Sequence, residues 1–199
     1  TASNNVAIGA SALASSTTSP GTVAVGYEAL TSQTTGFSNT AVGDECLESL
    51  TTGRSNTFVG EECGVNITTG EYNVGIGSGN FHGNRSYCTA IGVSTLDANS
   101  TGNHNVAIGW SALSATTDGG QNVAVGNKAG FSITGGSGNT CLGEHAGNDV
   151  TTGGRNTFVG FYAGDTLTTG SNVTCIGRSA QPSSATVSNE ITLGNDDVT

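Results

Sequence analysis

One pattern of polar and apolar positions returns along the chain at a fixed interval. An aliphatic residue precedes a glycine at Ile8-Gly9, Val25-Gly26, Val42-Gly43, Val59-Gly60, Ile76-Gly77, Ile91-Gly92, Ile108-Gly109, Val125-Gly126, Leu142-Gly143, Val159-Gly160, Ile176-Gly177 and Leu193-Gly194. The step is 17 residues, apart from one of 15 between Gly77 and Gly92. Three residues before each glycine stands a β-branched residue, from Val6 and Thr40 to Ile191. Positions two apart share a face of an extended chain, so each copy predicts a short strand with one aliphatic face. The residue between them is usually small, as at Ala7, Ala24, Ala41, Gly75, Ala107 and Cys141. No copy can bury its aliphatic face alone, so neighbouring coils must stack, and twelve copies in phase define a repeat protein. The expectation is that the aliphatic column is the core and the small residues form a flat outer face. On that reading Ile108→Asp buries an unpaired charge and prevents folding.

The rest of each unit is predicted to close the coil. After the glycine and two variable residues comes a small-then-Leu or small-then-Gly pair, as at Ala29-Leu30, Cys46-Leu47 and Cys63-Gly64, which predicts a second, less regular strand on the opposite wall. A Thr-Thr-Gly turn follows (Gly36, Gly53, Gly70, Gly153, Gly170), whose glycine is expected to supply a positive φ. Glycines and Thr/Ser/Asn clusters interrupt any stretch long enough for a helix. Each connection returns the chain to the same place, which predicts parallel, in-register pairing. Asn5, Asn39, Asn56, Asn73, Asn105, Asn122, Asn139 and Asn156 share one slot and are expected to form a structural column of stacked amides. The fold class is therefore all-β, a parallel β-roll or solenoid of about twelve 17-residue coils. The roll is assigned to residues 1–180. Residues 181–199, with Pro182 and a last degenerate copy ending at Gly194, form an exit segment.

Composition changes this picture little. Glycine contributes 32 of 199 residues, and Thr, Ser and Asn fill much of the rest. A disordered linker has no reason to place its aliphatics in phase. The 15 acidic and 5 basic residues give a net charge of −10, which repels nucleic acid and anionic lipid. No run is long and apolar enough to span a membrane. The absence of an initial methionine and a repeat already running at Asn5 suggest a piece of a longer chain. The five cysteines (Cys46, Cys63, Cys88, Cys141, Cys175) read as small buried hydrophobes. Cys46 and Cys63 share a slot in successive coils, close enough for a bridge, although an odd count argues against a disulfide framework.

The units Asn39-Thr40-Ala41-Val42-Gly43 and Asn105-Val106-Ala107-Ile108-Gly109 resemble the head repeats of trimeric autotransporter adhesins, the YadA-like head, in the form found in bacteriophage tail fibres. The resemblance covers nearly the whole chain. It implies a left-handed parallel β-roll and a homotrimer of three such rolls side by side. The 17-residue period is longer than the adhesin unit, so loop detail does not carry over. The ending Asn189-Glu190-Ile191-Thr192-Leu193-Gly194-Asn195 resembles the segment before an intramolecular chaperone of the endosialidase type, which implies such a domain downstream. The expected function is a structural or adhesive fibre segment in a virion tail fibre or extracellular appendage. Its partners would be two copies of itself and a glycan or protein receptor. Alternatives are a tail spike that degrades polysaccharide and the head of a bacterial adhesin.

Candidate chemistry is sparse. His82, His104 and His145 lie in different coils without a repeated acid or nucleophile, and no Gly-Lys-Ser/Thr phosphate loop occurs. The chain is expected to be no enzyme and to need no cofactor. Glu28, Glu45 and Glu62 share one slot, a like-charge ladder that is either solvated or bridged by a cation such as Ca²⁺. Aromatic residues at variable positions are the candidates for receptor contact: Tyr27, Trp110, Phe161 and Tyr162 just after the glycine. The short coil at 78–91 adds Phe81, His82, Arg85 and Tyr87 to them.

Overall fold

The computed structural model describes residues 3–98 and 101–195. Regular structure among them is all β, in twelve strands of three or four residues. The chain divides into two compact units, with described residues 3–94 and 101 in the first and 95–98 and 102–195 in the second.

In the first unit β1 (Val6–Ile8), β2 (Val23–Val25), β3 (Thr40–Val42), β4 (Thr57–Val59), β5 (Val74–Ile76) and β6 (Thr89–Ile91) follow in chain order, each parallel to the next. In the second, β7 (Val106–Ile108), β8 (Val123–Val125), β9 (Thr140–Leu142), β10 (Thr157–Val159), β11 (Val173–Ile176) and β12 (Glu190–Leu193) do the same. The register advances by one repeat each time, so Val25 faces Val42 and Val125 faces Leu142. The short coil keeps it too, with Val74 facing Thr89. Each unit is a parallel β-solenoid.

The strands stop after three residues because the chain turns a corner at the motif glycine. Gly43 has φ +145°, and a Cβ there would lie 2.2 Å from the carbonyl oxygen of Gly60 in the next coil. The Thr-Thr-Gly glycine works differently from the expectation. Gly53 has no positive φ; it is glycine because a Cβ would meet the Gly70 carbonyl oxygen at 2.3 Å. Close stacking of successive backbones, and not turn geometry, requires it.

Left-handed backbone is carried mostly by other residues. Glu28, Leu30 and Ser38 have φ of 52°, 52° and 56° within one coil, and Glu45, Leu47 and Ser55 repeat the pattern. This alternation is why the opposite wall is a run of turns and not the expected second strand. It still ladders by hydrogen bonds: Leu30 N–H donates to Cys46 O at 3.1 Å, and Leu47 N–H to Cys63 O at 3.0 Å. A leucine held left-handed costs about 1–2 kcal/mol, whereas burying its side chain stabilises by about 1.5–3 kcal/mol. Leu30, Leu47, Leu96 and Leu113 are all fully buried, so burial wins.

The core is on the other side of the strand from the one expected. The small residue in the middle of the strand points inward: Ala24, Ala41, Ala90, Ala107, Ala124 and Cys141 are fully buried. The aliphatic residues flanking it point outward, with Val59 39%, Ile76 42% and Ile176 43% exposed. Ile108 is half-buried on the same outer face, so an aspartate there would meet solvent and not the core. The reason is volume. The interior is already filled by the small residue and leucine after the glycine, and by Leu50, Ile67, Ile133, Val150 and Leu167 seven residues after it. That leaves room behind the strand for little more than a methyl group.

Phe58 and Phe158 are the exceptions, and both are fully buried. Their neighbours have given way. A Cβ at Gly75 would lie 2.3 Å from the Phe58 ring and one at Gly64 2.8 Å from it. Phe158 is similarly flanked by Gly147 and Gly164. Glycine replaces leucine in the coil where phenylalanine replaces alanine, which conserves core volume.

The asparagines join coils side chain to backbone. Asn39 Oδ1 accepts from the backbone N–H of Asn56 at 2.9 Å, and Asn56 Nδ2 donates to Gly70 O at 2.8 Å. The same pair of bonds recurs from Asn122 to Asn139 and on to Gly153.

Candidate functional site

The surfaces that vary between coils are the slots just after the glycine and those just before the asparagine. Tyr27, Trp110 and Phe161, one residue after the glycine, are about half exposed, and Tyr162 is half-buried. In the second unit these rings are engaged with their neighbours. Lys128 Nζ sits 5.2 Å from the Trp110 ring and 5.4 Å from Phe131. His145 and Tyr162 stack at 4.6 Å, Phe161 meets Tyr162 edge-on at 4.5 Å, and Arg178 lies 5.8 Å over Phe161. Only the His145 and Tyr162 rings turn their faces to each other, while Trp110 and Phe161 keep part of their surface exposed.

In the first unit the same slots are acidic. Glu28, Glu45 and Glu62 all adopt left-handed backbone and stack as a like-charge ladder. Desolvation, reinforced by Glu48, Asp44, Glu62 and Glu28, holds the Glu45 carboxyl above the ordinary range. Donation of its O–H to the Glu28 carboxylate, then the charge of that carboxylate, pushes the Tyr27 phenol up. Among the described residues no three His, Cys, Asp or Glu side chains converge to hold a metal ion.

The short coil is assembled differently from the expected contact group. Phe81 and Arg85 are fully buried and cannot offer their side chains to a partner. Phe81 occupies the core slot that leucine holds elsewhere and meets Phe58 edge-on at 5.1 Å. Arg85 stands where other coils have the turn glycine: its carbonyl accepts from Asn73 Nδ2 at 2.8 Å, as Gly70 O does from Asn56. With two residues fewer in the coil, its side chain folds inward over Phe81, 5.7 Å from the ring centroid. His82 is half-buried, and Tyr87 is 54% exposed.

Tyr87 belongs to a cluster that sequence reasoning missed. It stacks on Tyr72 at 5.1 Å, and Arg54 pairs with Glu71 at 3.0 Å while lying over Phe37 and Tyr72. The signal was available: Phe37, Arg54 and Glu71 share the slot six residues before the glycine, and Tyr72 and Tyr87 the next one.

All five cysteines are buried free thiols, and Cys46 and Cys63 are unbridged. Burial pushes the Cys141 thiol up to about 12 and the Cys175 thiol to about 11. The Cys46 thiol is raised too, so these three lie on the opposite side of the ordinary value from a reactive cysteine.

Each unit also carries an apolar column on its outer face. Val25, Val42, Val59, Ile76 and Ile91 line up on the outer face of the first unit, and Ile108, Val125, Leu142, Val159 and Ile176 on that of the second. Comparison with family models, curated proteins and solved structures returned no match. Among the described residues no helix is long and apolar enough to cross a membrane.

Proposed function

We propose that this chain is a non-enzymatic structural and adhesive segment of a trimeric fibre, a phage tail fibre or similar extracellular appendage. Three rolls, each wound left-handed, pack with their outward aliphatic columns against one another, and the fibre presents its variable coil edges to a host surface. The carrying observation is the aliphatic column itself. Strand after strand exposes a valine, isoleucine or leucine in register, as at Val125, Leu142 and Ile176. Soluble monomers rarely leave a contiguous apolar stripe open. Two further copies of the same chain supply a matching stripe at the same coil spacing. Attachment by such a fibre is multivalent, with three chains adding weak contacts into avidity. Sedimentation equilibrium tests the assembly. A mass three times 19.6 kDa is expected, and a well-behaved monomer at micromolar concentration would remove the reading.

A further inference from the structure

Two tyrosines of the first unit stand in a slot that its other coils fill with something smaller. The slot five residues before the motif glycine is left-handed throughout that unit, with φ 62° at Asn4, 67° at Gly21, 56° at Ser38, 55° at Ser55, 57° at Tyr72 and 60° at Tyr87. Glycine and asparagine take this conformation readily and serine brings little bulk to it, whereas a large ring there is an outlier that points to a role. Leu30 and Leu47 offset the same conformation by complete burial, but Tyr72 is 42% exposed and Tyr87 54%. The two rings lie parallel with centroids 5.1 Å apart, so they cover one another's faces and it is their rims that stay at the surface.

The pair belongs to the face that carries the aliphatic column. Tyr72, Val74 and Ile76 are exposed or half-buried while Asn73 and Gly75 between them are buried, and Tyr87, Thr89 and Ile91 alternate in the same way with Cys88 and Ala90. This face is also poor in charge. From six residues before each motif glycine up to that glycine, the coils of the first unit hold a single acid, Glu71, and it pairs with Arg54 at 3.0 Å. The acids Glu28, Asp44, Glu45, Glu61 and Glu62 all follow the glycine. For a chain of net charge −10, like copies meet with least repulsion through the face whose one acid is already paired. That favours a second copy of this chain as the occupant.

An interface built on the aliphatic column alone has no fixed height. Each rung of the first unit offers a valine or isoleucine, as at Val42, Val59 and Ile76. Sliding one copy past another by one coil, about 4.8 Å, therefore still sets valine or isoleucine against valine or isoleucine. A periodic contact leaves register weakly specified unless a non-repeating one fixes it. We propose that Tyr72 and Tyr87 are that contact, the register key between copies of this chain. Copies at equal height bring their tyrosine pairs together, and a copy displaced by one coil sets a ring against the serine slot at Ser55. The key presupposes the side-by-side assembly proposed above, and sedimentation of the wild type tests that part alone.

The test is Tyr72→Ser with Tyr87→Ser, which puts into both slots the residue that Ser38 and Ser55 hold there on the same left-handed backbone, so each coil should keep its fold. A nitroxide on Asn66→Cys, an exposed position on the opposite wall, reports distances between copies by double electron–electron resonance; the native thiols are buried and take no label. With the tyrosines present, one narrow distance is expected. In the double-serine variant the distribution should widen or split, and the assembly should dissociate at about tenfold higher concentration, as loss of an aromatic anchor implies. Hydroxyl-radical footprinting of the unmodified chain is the second measurement and stands even if the variant misfolds. Tyr27 is 49% exposed on the single chain, much like the pair, so in the assembly Tyr72 and Tyr87 should oxidise several-fold more slowly than Tyr27. Wild-type distances and dissociation in the double-serine variant, or a trimer in which all three tyrosines oxidise alike, would overturn the key and leave the assembly standing. A monomeric wild type removes both.

Discussion

Residue by residue, the core works by exchange of volume between slots. Phe58 sits in a column of alanines only because Gly64 and Gly75 make room for its ring. Phe58→Ala should cost about 3–5 kcal/mol in urea unfolding, since both glycines lack the atoms to refill the space. Adding Gly64→Leu, which recreates the alanine–leucine pairing of Ala41 and Leu47, should recover at least half of that loss; an additive or worse double variant would show the slots are independent. Cys141 sets a second expectation at this scale. Its thiol titrates near 12 in the fold against an ordinary 9.0, so the native state keeps a proton that the unfolded chain releases. Its contribution is complete below pH 9 and is lost as pH rises towards 12. Melting temperature should therefore fall across that window, and Cys141→Ala should shallow the fall.

Little of this was legible in the chain. A residue such as Leu30 gives no sign that it will sit left-handed, because the conformation is held by its neighbours' packing and not by its own preference. Arg85 in a glycine's place was equally opaque: a cation normally argues for the surface, and only the two-residue deletion opens a space that takes its side chain.

Among the elements, the strands and their register were legible and the side they face was not. The alternation Val23-Ala24-Val25 fixes that one face is aliphatic and the other small. Which face turns inward depends on what the return wall contributes; Leu50, Ile67 and Leu167 keep the 17-residue interval, but Ser16, Gln33 and Thr116 hold the same slot in other coils, so it does not stand out as a core column. The asparagine column was easier to read, because it needs only identity at a constant interval. Its strength can be measured at Asn56. Asn56→Ala leaves the Asn73 N–H and the Gly70 carbonyl without their partner, both buried. At about 1–3 kcal/mol for each unsatisfied group, the variant should unfold at clearly lower denaturant. Hydrogen exchange at the Asn73 amide should speed up more than at Asn122, which lies in the other unit. Equal exchange at the two would mean the amide column contributes no local stability.

At the scale of the molecule, the outward aliphatic column alters the outcome expected of a charge placed in it. Val125 is 37% exposed on that face, so with Val125→Asp its coil should fold with an unchanged β-type spectrum. Under the proposed assembly what should be lost is the trimer, seen as a shift to monomer in sedimentation. A variant that unfolds outright would put the column back in the core. The same logic carries over to Ile108. Candidate contact residues were only partly readable at this scale: Tyr87 and Trp110 are at the surface, whereas Phe81 and Arg85 are interior.

The short coil has one more consequence. It loses two residues in its turn and yet returns Thr89 opposite Val74, so the strand ladder does not register what happens between its rungs. Lineages carrying such a chain could therefore lengthen or shorten it by whole rungs, about 4.8 Å at a time, without redesigning any of the others. The repeat is in this sense a ruler whose divisions are set by the backbone, and reach becomes a trait that copy number alone can tune.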